Sequence, residues 1–263
     1  MNISDIDKIE NFYTKIYNED ERLEKSLDRR HFTEKAVKEE IIKRYATPGE
    51  YVCEIGAGKG YWVGRLLEMG CYVKAYDIVK EHVDVINERY TSHPRFLGAK
   101  QWNIVEVPPE TKDVFDLVLV SGPIYHTKNI KDKERIIDNS KKMLSCGGYM
   151  LIDFLPPVNA ALETLLNRTT PNAVSLTTLK PDEKNIFSYD TVADMNYLCR
   201  NSSMQVVRAI PLDGISRLLG KRLEEMSEES FEEYLGFMKR TAAGSSFTES
   251  LADLSEHSVI VSK

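Results

Sequence analysis

From Tyr51 onward the chain alternates short apolar runs with amphipathic stretches of helical period. Tyr51–Ile55 predicts a strand, a glycine-rich turn follows, and a helix runs on through Glu68. Residues 72–76 predict a second strand, 81–90 a second helix, and 95–102 a weakly patterned third strand. Phe115–Val120 is a continuous apolar run of the kind found in a strand buried on both faces. A helix over 131–144 is expected to stop at Gly147-Gly148, a C-cap signal, and 149–155 forms a fifth strand. Strands and helices alternating at this spacing imply right-handed crossovers and a parallel sheet covered on both faces. The fold class read from the pattern is α/β, doubly wound.

The flanks differ in texture. Residues 1–46 read as helical and charged, with one apolar stripe at Ile9, Phe12, Tyr13 and Ile16 and another at Phe32, Ala36, Val37, Ile41 and Ile42, until Thr47-Pro48-Gly49 breaks the pattern. After Pro156-Pro157, residues 156–187 mix Pro, Asn, Thr and Lys and read as an irregular insertion. A helix over 190–201, a strand over 204–211 and a final strand over 256–261 close the chain. Between those two strands, 212–246 is too long for a turn and carries Leu218, Leu219, Leu223, Phe231, Tyr234 and Leu235 at helical spacing, as an inserted cap would. The length suits one domain, 1–263, with a core at 50–155 and caps at 1–46, 156–187 and 212–246.

Charge and composition narrow the function. With 41 acidic against 35 basic residues the formal charge is −6, which argues against a dedicated nucleic-acid binder. Cys53, Cys71, Cys146 and Cys199 form no C-x-x-C pair and read as buried small apolar residues in a reducing compartment. The start is too charged for a signal peptide, and no apolar run approaches the roughly 18 residues that span a bilayer. A cytoplasmic protein, with no membrane partner, is the expectation. His31, His82, His93, His126 and His257 do not cluster at metal-ligand spacing, so no metal is expected.

The candidate chemistry lies in Tyr51-Val52-Cys53-Glu54-Ile55-Gly56-Ala57-Gly58-Lys59-Gly60, an apolar strand with a carboxylate near its end, then G-x-G-x-G, then a helix. Alternate glycines let the backbone turn sharply and approach a ligand, and the helix behind offers unpaired N–H groups. Asp77 closes the second strand, where a carboxylate accepts hydrogen bonds from ribose hydroxyls. NAD and S-adenosylmethionine (SAM) both fit so far. The missing third G-x-x-G spacing and Glu54, unwelcome beside a pyrophosphate but welcome beside a cationic amino acid, favour SAM.

On these residues the sequence resembles a class I SAM-dependent methyltransferase. Residues 54–60 match that family's first motif and Asp77-Ile78 its acidic second motif. The stretch 115–126, ending Ser121-Gly122-Pro123-Ile124-Tyr125-His126, resembles the fourth-strand motif of a subgroup with Gly-Pro-Leu-Tyr-His there. Met143-Leu144-Ser145-Cys146-Gly147-Gly148 resembles the segment before the family's fifth strand. The resemblance implies a Rossmann-like, mostly parallel seven-stranded sheet with helices on both faces, N-terminal helices and inserted caps.

The resemblance also implies roles. Glu54 would hold the amino group of the methionine moiety, and Gly56, Ala57, Gly58 and Gly60 would form the loop against which it and the ribose lie. Asp77 would bind the ribose hydroxyls and Ile78 pack on adenine. Asn103 and Ile104 would lie at the adenine edge, although many relatives have Asp where Asn103 stands, and Ser121 would sit under the methionine part. Tyr125 and His126 fall beside the methyl group; they either orient or deprotonate the acceptor, or merely pack against the cofactor. Tyr13 and Tyr17 are lid residues or helix-packing aromatics. Arg29 and Arg30 pair with the methionine carboxylate or, more commonly, form a solvated helix face.

The expected reaction is methyl transfer from SAM to a small-molecule acceptor, leaving S-adenosylhomocysteine, by a monomer or homodimer whose caps, 212–246 above all, fold over the carboxyl edge of the sheet and line the acceptor pocket. The alternatives are an RNA, tRNA or protein methyltransferase, for which Lys180, Lys184, Arg217, Lys221 and Arg222 would supply a basic surface, an NAD-dependent enzyme, and a non-catalytic SAM-binding protein.

Overall fold

The computed structural model describes residues 3–17, 28–106, 114–167, 185–244 and 251–263. Its strands are β1 (Tyr51–Ile55), β2 (Tyr72–Asp77), β3 (Phe96–Gln101), β4 (Phe115–Val120), β5 (Leu144–Phe154), β6 (Val206–Pro211) and β7 (Ser258–Ser262). They form one sheet in the order β3-β2-β1-β4-β5-β7-β6. All pairings are parallel except those of β7, which runs antiparallel to both β5 and β6. Around the sheet stand α1 (Ile3–Lys15), α2 (Arg29–Tyr45), α3 (Tyr61–Glu68), α4 (Lys80–Tyr90), α5 (Ile130–Lys141), α6 (Pro157–Asn167), α7 (Val192–Asn201), α8 (Ser216–Leu219), α9 (Lys221–Glu224) and α10 (Glu228–Gly244).

Both faces of the sheet are covered, which explains why the strands are apolar at consecutive positions. On one face Val52, Val73, Leu117, Leu119 and Leu151 pack with Val37 and Ile41 of α2, Val63 and Leu66 of α3, Ile86 of α4 and Met238 of α10. On the other, Cys53, Ile55, Val118, Val120 and Ile152 pack with Ile136 of α5 and Leu198 of α7. Neighbouring strand residues therefore serve opposite cores.

Several boundaries move for identifiable reasons. Helix α5 ends at Lys141, short of the expected 144, and β5 starts at Leu144. Gly147-Gly148 is no helix cap; the pair lies inside β5 where its register with β4 shifts, and a Cβ on Gly148 would stand 3.0 Å from the Asp116 carbonyl. Helix α7 starts at Val192 rather than 190 because Thr191 forms a capping box with Asp194. The expected irregular insertion at 156–187 begins with a helix, α6, and its residues 168–184 lie outside the described ones. Cys146 is exposed rather than buried, beside the glycine pair, whereas Cys53, Cys71 and Cys199 are buried.

The described part of the expected cap, 212–244, carries α8, α9 and α10 but goes elsewhere. Phe231 of α10 packs on Phe32 of α2, Arg29 donates to the carbonyls of Leu223 and Met226, and Arg44 donates to that of Ala243. Met238 and Ala242 join the core under α2. Met238, Ala242 and Tyr234 of this segment thus pack into one face of the sheet, and Leu218 is exposed, instead of the stripe roofing a pocket. Among the described residues no helix is long and apolar enough to cross a membrane.

Candidate functional site

The strand order reverses between β1 and β4, and the carboxyl ends of these two strands open the crevice in which such sheets hold ligands. The chain leaves β1 through Gly56 (φ +79°) and Gly58 (φ +53°), backbone conformations that glycine adopts without strain. The amides of Gly56 and Ala57 donate to the Tyr76 carbonyl at 2.8 and 3.1 Å. A Cβ on Gly56 would lie 2.3 Å from the Ser121 carbonyl oxygen and 2.8 Å from the Pro123 ring, so the loop passes against the exit of β4 with no room for a side chain.

The resulting cleft encloses about 1060 Å³ of empty space, part of it open to solvent. Tyr13, Glu54, Gly56, Ala57, Gly58, Asp77, Ile78, Asn103, Ile104, Ser121, Tyr125 and His126 all line it. Gly60 does not. It is the N-cap of α3 at φ +87°, a Cβ there would meet Ile86 at 2.9 Å, and its carbonyl accepts from the Tyr90 hydroxyl at 3.1 Å. The third glycine of the motif therefore serves the close packing of α4 on α3.

Four carboxylates, Glu34, Glu54, Asp77 and Asp153, line the cleft. Glu54 is 1% exposed at the end of β1. Asp77 accepts from the Gly58 amide through Oδ2 and from the Val79 amide through Oδ1, both at 2.8 Å, tying the glycine loop to the turn after β2. A carboxylate has about four acceptor positions, so both oxygens keep capacity for a ligand hydroxyl. Asn103 is held in its turn, its Oδ1 accepting from the Val105 amide at 3.2 Å.

After β4, Gly122 (φ +118°) and Pro123 turn the chain so that Tyr125 and His126 stand over the cleft mouth. His126 Nδ1 lies 3.3 Å from the Ile186 carbonyl, which can only accept, so Nδ1 carries the proton. Nε2 then accepts from the Tyr13 hydroxyl of α1 at 2.7 Å. Burial pushes the His126 pKa down to about 4, against the opposite pulls of the Ile186 carbonyl and Asp77. The imidazole is neutral at pH 7, with its basic nitrogen engaged. Residues 185–190 strap this corner: the Ser188 amide donates to the Tyr125 carbonyl, and Lys133 binds Ser188 Oγ at 2.8 Å and Asp190 at 2.6 Å.

The cleft also holds residues that the sequence reading passed over, among them Lys38, His82, Trp102, Asp153 and His257. Lys38 of α2 makes a buried ion pair with Asp153 of β5 and donates to Ser121 Oγ at 3.1 Å. Its signal was its position, a cation four residues before Ile42 on the buried stripe of α2. Trp102 is 7% exposed, meets Tyr76 edge-on, and its indole N–H has no hydrogen-bond partner among the described residues. Arg29 and Arg30 stay outside the cleft, Arg29 on Glu228 and the carbonyls of Leu223 and Met226, Arg30 on Glu256. Tyr17 does line the cleft, together with Tyr13.

A second cavity of about 2260 Å³, also part solvent, adjoins the first and shares Tyr13, Tyr17, Tyr125 and His257 with it. Of 212–246, Arg217 is the residue that reaches this cavity among the described residues. Beneath it the carboxylates of Asp213 and Glu256 and the His257 ring have ligand-type atoms within 4.8 Å of one another. Glu256 is engaged by Arg30 and Arg217, so this trio meets guanidinium groups rather than presenting a vacant acidic cage.

A family model described as a methyltransferase domain matches residues 52–148, the stretch from β1 into β5 that builds the cleft. Over this segment the chain is similar to the methyltransferase-domain family. No curated protein sequence matches the chain. Solved structures similar to it include a TehB-like SAM-dependent methyltransferase from Corynebacterium glutamicum, 14% identical with a TM-score of 0.52 and 86% of each chain covered. The CcbJ methyltransferase from Streptomyces caelestis is 12% identical with a TM-score of 0.56, over 87% of this chain and 88% of that one. Magnesium protoporphyrin IX methyltransferase from Synechocystis, solved with bound S-adenosylhomocysteine, is 13% identical with a TM-score of 0.54, over 79% of this chain and 88% of that one. At such identities the likeness speaks for the methyltransferase fold, which runs well beyond 52–148 in the sheet and its helices.

The donor set of the cleft suits SAM. Buried carboxylates stand at Glu54 and Asp77, and the apolar Ile78, Ile104 and Trp102 line the same cleft.

Proposed function

We propose that the chain transfers the methyl group of SAM to a small-molecule acceptor held in the adjoining cavity. The observation that carries this reading is the pairing of a cleft at the strand-order reversal with a second cavity across Tyr13, Tyr125 and His257. A protein that only bound SAM would have no use for an acceptor space beside the cleft. When bound, SAM supplies a methyl group already activated by its sulfonium.

The residues divide the work of holding it. Glu54 faces the amino group, and Lys38, rather than Arg29 or Arg30, is the cation within reach of the carboxylate, its position set by Asp153 and Ser121. Asp77 accepts from the ribose hydroxyls, and Ile78, Ile104 and Asn103 enclose the adenine. Gly56, Ala57 and Gly58 keep the first loop flat against the ligand. Tyr13 closes the cleft from α1, and its hydrogen bond to His126 fixes that lid. Tyr125 and His126 position the lid and the acceptor; a histidine with its pKa near 4 and its basic nitrogen occupied is poorly matched to general-base work at neutral pH. Alignment of the acceptor with the methyl carbon, and exclusion of water, are the protein's main contributions. As the acceptor bonds to that carbon, the carbon–sulfur pair goes to sulfur.

A nucleic-acid acceptor finds less support. Arg217 is paired with Glu256, and Lys180 and Lys184 lie outside the described residues. A cytoplasmic setting agrees with the four free cysteines.

Calorimetry with S-adenosylhomocysteine and with NAD tests the cofactor half of the proposal. Binding of the first and not the second is expected. Asp77→Ala should weaken binding by about 1.5–3 kcal/mol, the scale of hydrogen bonds to a charged group. Unchanged affinity in a folded Asp77→Ala protein refutes the assignment.

A further inference from the structure

Methyl transfer changes the charge of what the cleft holds. SAM carries a sulfonium. Once the acceptor has bonded to the methyl carbon, the carbon–sulfur electron pair stays on sulfur and the bound molecule has lost one positive charge. The charges that line the cleft therefore bear on how it ranks cofactor against product.

That lining is acidic. Among the described residues it holds four carboxylates, Glu34, Glu54, Asp77 and Asp153, against one lysine, Lys38, and no arginine. Three of the four have work already described. Glu54 faces the amino group in the reading above, Asp77 accepts from the Gly58 and Val79 amides and serves the ribose, and Asp153 is ion-paired with Lys38. Glu34 stands on α2 one turn before Lys38, its side chain 13% exposed.

The neighbour of Glu34 fixes its place along the cleft. Its Oε2 lies 3.7 Å from His257 Nδ1, and His257 is one of four residues, with Tyr13, Tyr17 and Tyr125, that line both the cleft and the second cavity. In the reading above the methyl group points at an acceptor across that seam, which puts the sulfonium at the end of the cleft that Glu34 lines. The local potential there is negative in spite of Arg30 and Arg217 on Glu256: burial, then Glu256 and Glu34, push the nearby Asp213 carboxyl up to about 7.

We propose that Glu34 is a specificity-determining residue that makes the cleft prefer SAM to S-adenosylhomocysteine, its carboxylate attracting the sulfonium and losing that attraction when the methyl group has gone. The proposal rests on the reading of the cleft as a SAM site and adds how product is told from cofactor. A carboxylate in a largely desolvated wall acts on a nearby charge more strongly than it would in water, and the amino-acid head group is common to both ligands and cancels in the comparison. Release of the product is thereby favoured once transfer is complete.

The test is calorimetric titration of the full chain with SAM and, separately, with S-adenosylhomocysteine, at a pH of about 8, above the ordinary imidazole value of about 6.5, so that a charged histidine does not mask the carboxylate. The wild type should bind SAM about tenfold or more tighter than S-adenosylhomocysteine. Glu34→Gln keeps the shape and removes the charge; it should bring that ratio to about threefold or less by weakening SAM, with S-adenosylhomocysteine affinity within about twofold of the wild type. Glu34→Ala should do the same, and Glu34→Asp, which keeps the charge, should retain most of the preference. A wild type that binds S-adenosylhomocysteine as tightly as SAM, a preference that survives in both neutral variants, or an equal loss of both ligands in those variants overturns the inference. Failure of both ligands to bind the wild type overturns instead the SAM reading on which it rests.

Discussion

The sharpest quantitative consequence of the site is the pH dependence of stability carried by His126. Its pKa is near 4 in the folded protein because the ring is buried, and about 6.5 in an unfolded chain. Below pH 6.5 the unfolded state binds a proton that the folded state refuses until pH falls to about 4. Stability from this residue is therefore complete above pH 6.5, declines as pH falls through the window from 6.5 to 4, and is flat below it. The full separation of about 2.5 units corresponds to at most about 3 kcal/mol, of which about 2 kcal/mol is lost between pH 7.5 and 5.

Every other acid-sensitive group contributes to a raw stability curve, so the residue must be isolated by difference. His126→Gln keeps a side-chain acceptor near the position of Nε2 for the Tyr13 hydroxyl and removes the titration. Urea unfolding of both proteins at pH 7.5 and 5 should show the wild type losing about 2 kcal/mol more than the variant on going to the lower pH. An NMR titration of the His126 ring should show its midpoint well below 5. A midpoint near 6.5, or equal acid losses in the two proteins, refutes the account of a neutral, desolvated imidazole. Turnover separates the roles: loss of a general base costs about 10²–10⁴-fold, whereas a positioning residue replaced by Gln should cost less than about tenfold.

Two further substitutions test the scaffold around the site. Gly56→Ala must hold an L-residue at φ +79° and drive its Cβ into the Ser121 carbonyl, so unfolding measurements should show a loss of about 3 kcal/mol or more, and a loss under about 1 kcal/mol contradicts the loop geometry. Lys133→Met leaves Asp190 buried without its cation, so the protein should lose about 3 kcal/mol of stability at pH 7 and the strap over Tyr125 should loosen, read as faster amide exchange at Ser188; unchanged exchange contradicts the anchoring role.

What could be read from the residues alone follows the range of the forces involved. The seven strands and the glycine turn are legible because alternation, turn chemistry and helix period act over a few residues. The Gly147-Gly148 pair was misread because a glycine run after a helix looks the same whether it caps that helix or lets the next strand bulge against its neighbour; the difference lies in the β4 backbone at Phe115 and Asp116, far from the motif. Gly60 has a long-range neighbour of the same kind, Ile86 of α4, which no local pattern announces. The state of His126 depends on Tyr13, 113 positions earlier, and on Ile186, 60 positions later, so no local pattern announces it. Lys38 is the instructive case. Its partner Asp153 is 115 positions away, yet it occupies the stripe of α2 that carries Val37, Ile41 and Ile42 into the core. A cation on an apolar stripe has to be met by a buried anion or by a ligand, because leaving it bare in the interior costs several kcal/mol. Here the anion and the cleft lie together at the carboxyl edge of the sheet, which makes the misfit between Lys38 and its stripe a signal of the site that the motifs do not carry.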